Sequence, residues 1–123
     1  MQVGDVIRFE RTFTNKEVKQ FTAISGDEGV HHIQPDDEGR LMVQGLLTAT
    51  LPTKIGGEYN VLARTMNFEF LKPVLTNDTI LCEVTIEQYE EDSYNRKRIH
   101  TSFSCTNQHS IKVLKGSFSG VIK

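Results

Sequence analysis

From Val61 onward, apolar and polar residues alternate. The stretches VLARTMNFEFLKPV, TILCEVTIEQYEE, RKRIHTSFSCTN and SIKVLKGSFSGVIK follow a two-residue period, imperfectly, and are rich in β-branched and aromatic side chains. That is the pattern of strands with one face buried. Asn77-Asp78, the polar run Glu91 to Asn95, and Asn107-Gln108 separate them with residues that favour tight reversals. With an early strand around Val6 to Phe13, the pattern predicts an antiparallel sheet of about five strands.

The first half carries a helical period instead. Thr14 followed three residues later by Glu17 has the spacing of a capping box, so a helix starts there. Val18, Phe21 and Ile24 recur on one face of it, and Gly26 stops it, since glycine tolerates the left-handed cap conformation. A second helix is predicted from Gln44 or Gly45 to Ile55, closing on Gly56 and Gly57. Its sequence, GLLTATLPTKIGG, is apolar on most sides, so it belongs inside, and Pro52 predicts a kink or an early end. A sheet of about five strands and one long apolar helix form an α+β unit in which the sheet wraps the helix. No repeat, linker or low-complexity segment divides the chain, and residues 1 to 123 are read as one domain.

Charge narrows the choice of partners. Fourteen basic and sixteen acidic side chains leave a net charge of -2, without the positive field that nucleic acid or an anionic membrane surface requires. The longest apolar run, Leu41 to Leu51, is broken by Gln44, Gly45, Thr48 and Thr50, well short of the roughly 20 apolar residues of a membrane span. The start MQVGDVIRFE has neither a basic region nor an apolar one, so a cytoplasmic location is expected. Cys82 and Cys105 lack metal-ligand spacing and are too few for a disulfide framework; they read as reduced thiols in strands.

Candidate chemistry is concentrated in SGDEGVHHIQPDD, residues 25 to 37. Histidine titrates near neutrality, and a neighbouring carboxylate orients its ring, which suits Asp27 and His32 to acid/base work on a water molecule. Adjacent side chains in extended backbone point to opposite faces, so His31 and His32 are not expected to share a site. This geometry, with no helical i, i+4 histidine pair, disfavours a metal centre built from His31, His32, Asp36 and Asp37. Asp36, Asp37 and Glu38 read as a solvated face before a turn at Gly39.

FTAISGD, a histidine five positions after that aspartate, VQGLL and FEFLKPVLTNDTI occur in this order, which resembles the MaoC-like, (R)-specific enoyl-CoA hydratase family from about Val3 to Glu87. The marker is an Asp and a His at +5 in a Ser-Gly-Asp context, met by Asp27 and His32. A glycine opening the central helix is met by Gly45, and a hydroxyl two turns into that helix by Thr53. The chain departs from the family pattern in carrying Gly29 and Val30 where Asn-Pro is usual, Gln44 where a histidine usually precedes the helix glycine, and a shorter segment from His32 to Gly45.

The resemblance implies a hot-dog fold and a hydro-lyase that reversibly hydrates a trans-2-enoyl thioester to the (R)-3-hydroxyacyl thioester. It casts Asp27 and His32 as the catalytic dyad and Gly45 and Thr53 as substrate-binding residues. Gly45 is either a simple helix-start glycine or an N–H donor to the enolate oxygen; Thr53 is either a satisfied core hydroxyl or a substrate contact. The substrate would be an acyl-CoA or acyl carrier protein (ACP) thioester, the assembly a homodimer, and neither metal nor cofactor is required. The alternatives are a hot-dog thioesterase, which would use a carboxylate to send water against the thioester carbonyl, and a non-catalytic acyl-thioester-binding protein.

Overall fold

The alternating stretches are all strands. In the computed structural model, which describes residues 1–122, the chain runs Val6–Thr12 (β1), Asn15–Ser25 (α1), Val30–Ile33 (α2), Gly45–Thr48 (α3) and Thr50–Glu58 (α4). It continues through Val61–Phe70 (β2), Thr79–Glu91 (β3), Lys97–Thr106 (β4) and Lys112–Ile122 (β5). Lys123, the last residue of the expected final strand, lies outside the described residues. The strands form one antiparallel sheet in the order β1-β3-β4-β5-β2, with β1 and β2 at its edges.

The two-residue period decides which face of the sheet is inside. Ile80, Cys82, Val84 and Ile86 of β3 and Ile99, Thr101, Phe103 and Cys105 of β4 are all buried, and the residues between them are not. Leu47, Leu51 and Ile55 of α3 and α4 pack into the same core cluster as Val84, Phe103, Leu114 and Phe118. The central helix therefore lies on the inner face of the sheet, as expected. Cys82 and Cys105 face each other in register as free thiols, and their mutual hydrogen bond together with burial pushes the Cys82 thiol up. A thiol held that way is unreactive core.

Both helices depart from expectation in detail. The capping box of α1 is present: Thr14 Oγ1 accepts from the Glu17 N–H, Glu17 accepts from the Thr14 N–H, and Gly26 closes the helix at φ 74°. Val18 is buried and Phe21 half-buried, but Ile24 is 83% exposed. The apolar stripe has rotated off the core by the last turn. The central helix is interrupted at Ala49, before Pro52, because proline offers no N–H to the Thr48 carbonyl and its ring crowds that oxygen. It then passes through Gly56 and Gly57 to Glu58, and the left-handed residue that ends it is Asn60, at φ 59°. The expected stop at the glycines is corrected: Gly56 is a buried helical position facing the Phe118 ring.

One further link positions the site. Residues 41 to 43 lie along 74 to 76 through hydrogen bonds from Val43 N–H to Val74 O and from Thr76 N–H to Leu41 O, with a Met42–Leu75 bridge between them. The chain is thereby anchored just before it enters the central helix. No helix among the described residues is long and apolar enough to cross a membrane.

Candidate active site

The site is assembled from two internal segments, the loop and turn after α1 and the stretch that enters the central helix. After the left-handed turn at Gly26, the Asp27 N–H donates to Ser25 Oγ (3.0 Å) and Asp27 Oδ1 accepts from the Gly29 N–H (3.2 Å). One carboxylate oxygen is thus tied to the loop. The other, Oδ2, is 3.4 Å from His32 Nε2, with the carboxylate half exposed and the imidazole 6% exposed. His32 Nδ1 is 2.7 Å from the Met42 carbonyl oxygen. A carbonyl only accepts, so Nδ1 carries a proton, and in the neutral form of the ring Nε2 presents a bare lone pair. An ionised carboxylate also only accepts. In that state Nε2 and Oδ2 do not bond to each other, and both are free to take hydrogens from a third group between or above them.

Gly45 opens the central helix next to this pair. Its N–H donates to no protein acceptor among the described residues, as is usual for the first turn of a helix. The Phe70 ring lies so close that a Cβ on residue 45 would sit 2.8 Å from Phe70 Cε1. A side chain there would push the half-exposed Phe70 ring aside. A cavity of about 410 Å³ is bordered by His31, His32, Met42, Gly45, Phe70 and Lys72, among others. The structure thus sets His32 and Gly45 on one pocket, with Asp27 beside His32 and outside the pocket lining.

Comparison with known proteins gives the same arrangement a context. No family model matches the chain. A mitochondrial 3-hydroxyacyl-[acyl-carrier-protein] dehydratase of Arabidopsis thaliana is 25% identical over 130 residues, covering 99% of this chain and 78% of that protein. The solved (R)-hydratase from A. caviae involved in PHA biosynthesis superposes with a TM-score of 0.86 at 23% identity, over 99% of this chain and 96% of the other. A MaoC-like dehydratase from Rhodospirillum rubrum gives 0.79 at 15% identity, over 99% and 92%. The chain has the hot-dog fold of the MaoC-like hydratases and dehydratases.

Within this hot-dog frame Thr53 stands apart from the dyad. It is exposed, its hydroxyl donates to the Ala49 carbonyl (3.0 Å), and it lines a separate apolar pocket of about 150 Å³ with Gly57, Met66 and Phe118. His31 is a correction in the other direction. Residues 30 to 33 are a helical turn and not extended, the His31 and His32 ring centroids are 3.9 Å apart, and both rings border the same pocket. In the sequence Gln44 reads only as a departure from the family pattern. It is 1% exposed, and its amide donates to Thr22 Oγ1 (2.8 Å) and the Val18 carbonyl (3.3 Å) of α1. It ties the start of the central helix to the helix that delivers Asp27. Glutamine next to a helix-opening glycine was the available signal, but its partners lie more than twenty residues away in sequence.

Proposed function

We propose that this protein is a MaoC-like hydro-lyase that reversibly hydrates a trans-2-enoyl thioester to the (R)-3-hydroxyacyl thioester, with Asp27 and His32 as its catalytic dyad. The observation that carries the reading is the pair of facing acceptors, His32 Nε2 and Asp27 Oδ2, 3.4 Å apart. One water can donate a hydrogen to each, which leaves an oxygen lone pair directed at the substrate. As that oxygen bonds to the β-carbon, the dyad takes one proton; the C=C electron pair moves toward the thioester carbonyl, and the α-carbon receives the proton back. The water's O–H bond is broken, C–O and C–H bonds form, and no redox change occurs.

The negative charge that develops on the thioester oxygen needs a donor, and the free N–H of Gly45 at the helix start supplies one. Thr53, about 12 Å further along the helix at 1.5 Å per residue, is assigned to the acyl chain and not to the reacting carbons. The names of the relatives, a hydratase and dehydratases, support the reaction class. Coenzyme A or acyl carrier protein is the proposed carrier. We also assign a homodimer: β2 is an edge strand with Leu62, Met66 and Phe70 exposed, and Leu46 of the central helix is 61% exposed. An apolar edge of this kind is normally covered by a symmetric partner.

Incubation with crotonyl-CoA tests the reaction. Loss of the enoyl absorbance without release of free thiol is the expected result. Thiol release would establish a thioesterase instead, and binding without either change a non-catalytic thioester-binding protein.

A further inference from the structure

We infer that His31 is a positioning residue for His32, acting through a ring contact that the missing side chain of Gly29 makes possible; the inference rests on the reading of His32 as the acid/base group. Neighbouring side chains on a helical turn diverge by about 100° and do not ordinarily face each other. Yet the two imidazole centroids are 3.9 Å apart, with their planes at 58°. The His31 ring has folded back across the start of its own turn.

Gly29 provides the room. Its φ of -50° and ψ of 138° are open to any residue, so backbone conformation does not call for glycine there, in contrast to Gly26 at φ 74°. The need is spatial. A Cβ on residue 29 would lie 2.9 Å from His31 Cε1, 3.3 Å from His32 Cδ2 and 3.4 Å from Asp27 Oδ1. The first of these is shorter than packed carbon atoms tolerate, so any side chain at 29 displaces the His31 ring.

The contact matters because a single hydrogen bond among the described residues holds the His32 ring. Met42 grips both histidines through its peptide groups: its N–H donates to the His31 carbonyl (3.0 Å), and its carbonyl accepts from His32 Nδ1 (2.7 Å). These bonds fix the turn and one ring nitrogen, and leave rotation of the imidazole about the Nδ1–O line to be limited by packing. The His31 ring closes that freedom from one face and keeps Nε2 directed at Asp27 Oδ2. It also shields the buried His32 ring, since His31 itself is exposed and His32 is not. Asp27, Gly29, His31 and His32 thus act as one interlocked unit.

The test uses the full chain and two readouts. With crotonyl-CoA, His31→Ala is expected to lower kcat about tenfold with KM nearly unchanged, the usual cost of a slightly misplaced catalytic group. His31→Phe keeps a ring without its nitrogens and is expected to restore kcat to within about twofold. Gly29→Ala should match His31→Ala, and the double variant should be no worse than either single, because both remove the same contact. If His31→Ala leaves kcat unchanged, or if Phe fails to rescue it, the inference is overturned. The second readout does not need turnover. In nitrogen-15 spectra of the imidazoles, His32 should keep one sharp Nδ1–H tautomer in the wild type and in His31→Phe, and broaden in His31→Ala and Gly29→Ala. Unchanged His32 signals in His31→Ala sink the inference even if hydratase activity is found; a wild type that never turns over sinks the hydratase reading and leaves the spectra to decide this one.

Discussion

The β3–β4 pair and the segment from Asp27 to Gly45 are built on opposite principles. In β3 and β4, eight alternate side chains from Ile80 to Cys105 are buried, and the ladder between them is continuous except for one irregularity between Ile86 and Gln88. Each residue there is held by many weak contacts. In the 27 to 45 segment the burial is sparse: His32, Leu41, Val43 and Gln44 are inside, and most of the rest is exposed. What holds it is a small number of directed bonds, Asp27 to Gly29, His32 to Met42, Gln44 to Thr22, and Asp36 to Arg40. A region held by area tolerates the loss of any one polar group but not of volume, whereas a region held by single bonds places atoms well at little cost in stability.

The sharpest way to break this contrast is to remove volume from the first region. Phe103 is 4% exposed and its ring touches those of Phe68 and Phe118. Phe103→Ala is expected to cost about 3–5 kcal/mol, measured as a lower urea midpoint with an unchanged slope, while surviving folded molecules keep their kcat. A folded, equally stable variant would show that the sheet core is not what its burial implies.

In the second region the dyad should behave the other way. Asp27→Asn and His32→Ala are each expected to lower hydratase turnover on the order of a hundredfold or more, and the double variant to be little worse than either, because both groups act on one water. Asp27→Asn should leave the melting temperature within a few degrees, as the carboxylate is half exposed. Additive losses would mean that the two groups serve different steps.

Gln44→Leu sharpens the comparison by separating position from stability. It removes the donor to Thr22 and Val18, but also a buried amide oxygen that has no partner, and Thr22 Oγ1 still donates to Val18 O. The two effects offset each other, so stability should change by less than about 1 kcal/mol, while kcat falls about tenfold as the start of the central helix drifts from Asp27. Equal losses of stability and turnover would make Gln44 an ordinary core residue.

The smallest effects belong to the cap of α1. Thr14→Ala should cost about 1 kcal/mol, read by thermal melting. Burial works against ionisation of Glu17, but hydrogen bonds from Thr14 and its ion pair with Arg11 outweigh that and hold its carboxyl below the ordinary value of 4.5. A depressed carboxyl stabilises the fold above the unfolded value and loses that contribution as pH falls through the folded one. Glu17→Gln should therefore lower stability near neutrality and flatten its acid limb below about pH 4.5; an unchanged acid limb would show that the cap does not titrate with folding.

The sequence by itself determined the parts governed by short-range rules. Strand alternation, the Thr14–Glu17 box and the closing Gly26 depend on neighbours within a few residues, and all three appear where the pattern placed them. The +5 spacing of Asp27 and His32 was legible in the same way, and the structure sets the two side chains 3.4 Å apart. Tertiary structure decided what depends on distant partners. Ile24 follows the helical period but has nothing to pack against; His31 sits on a turn that Met42 hydrogen-bonds; the space that Gly45 leaves open is occupied by Phe70, twenty-five residues later. Thr53 shows the same limit, since only folding reveals that its hydroxyl is already bonded within the helix and lines a different pocket from His32. Periodicity reports which face a residue occupies; what waits on that face is supplied by another part of the chain.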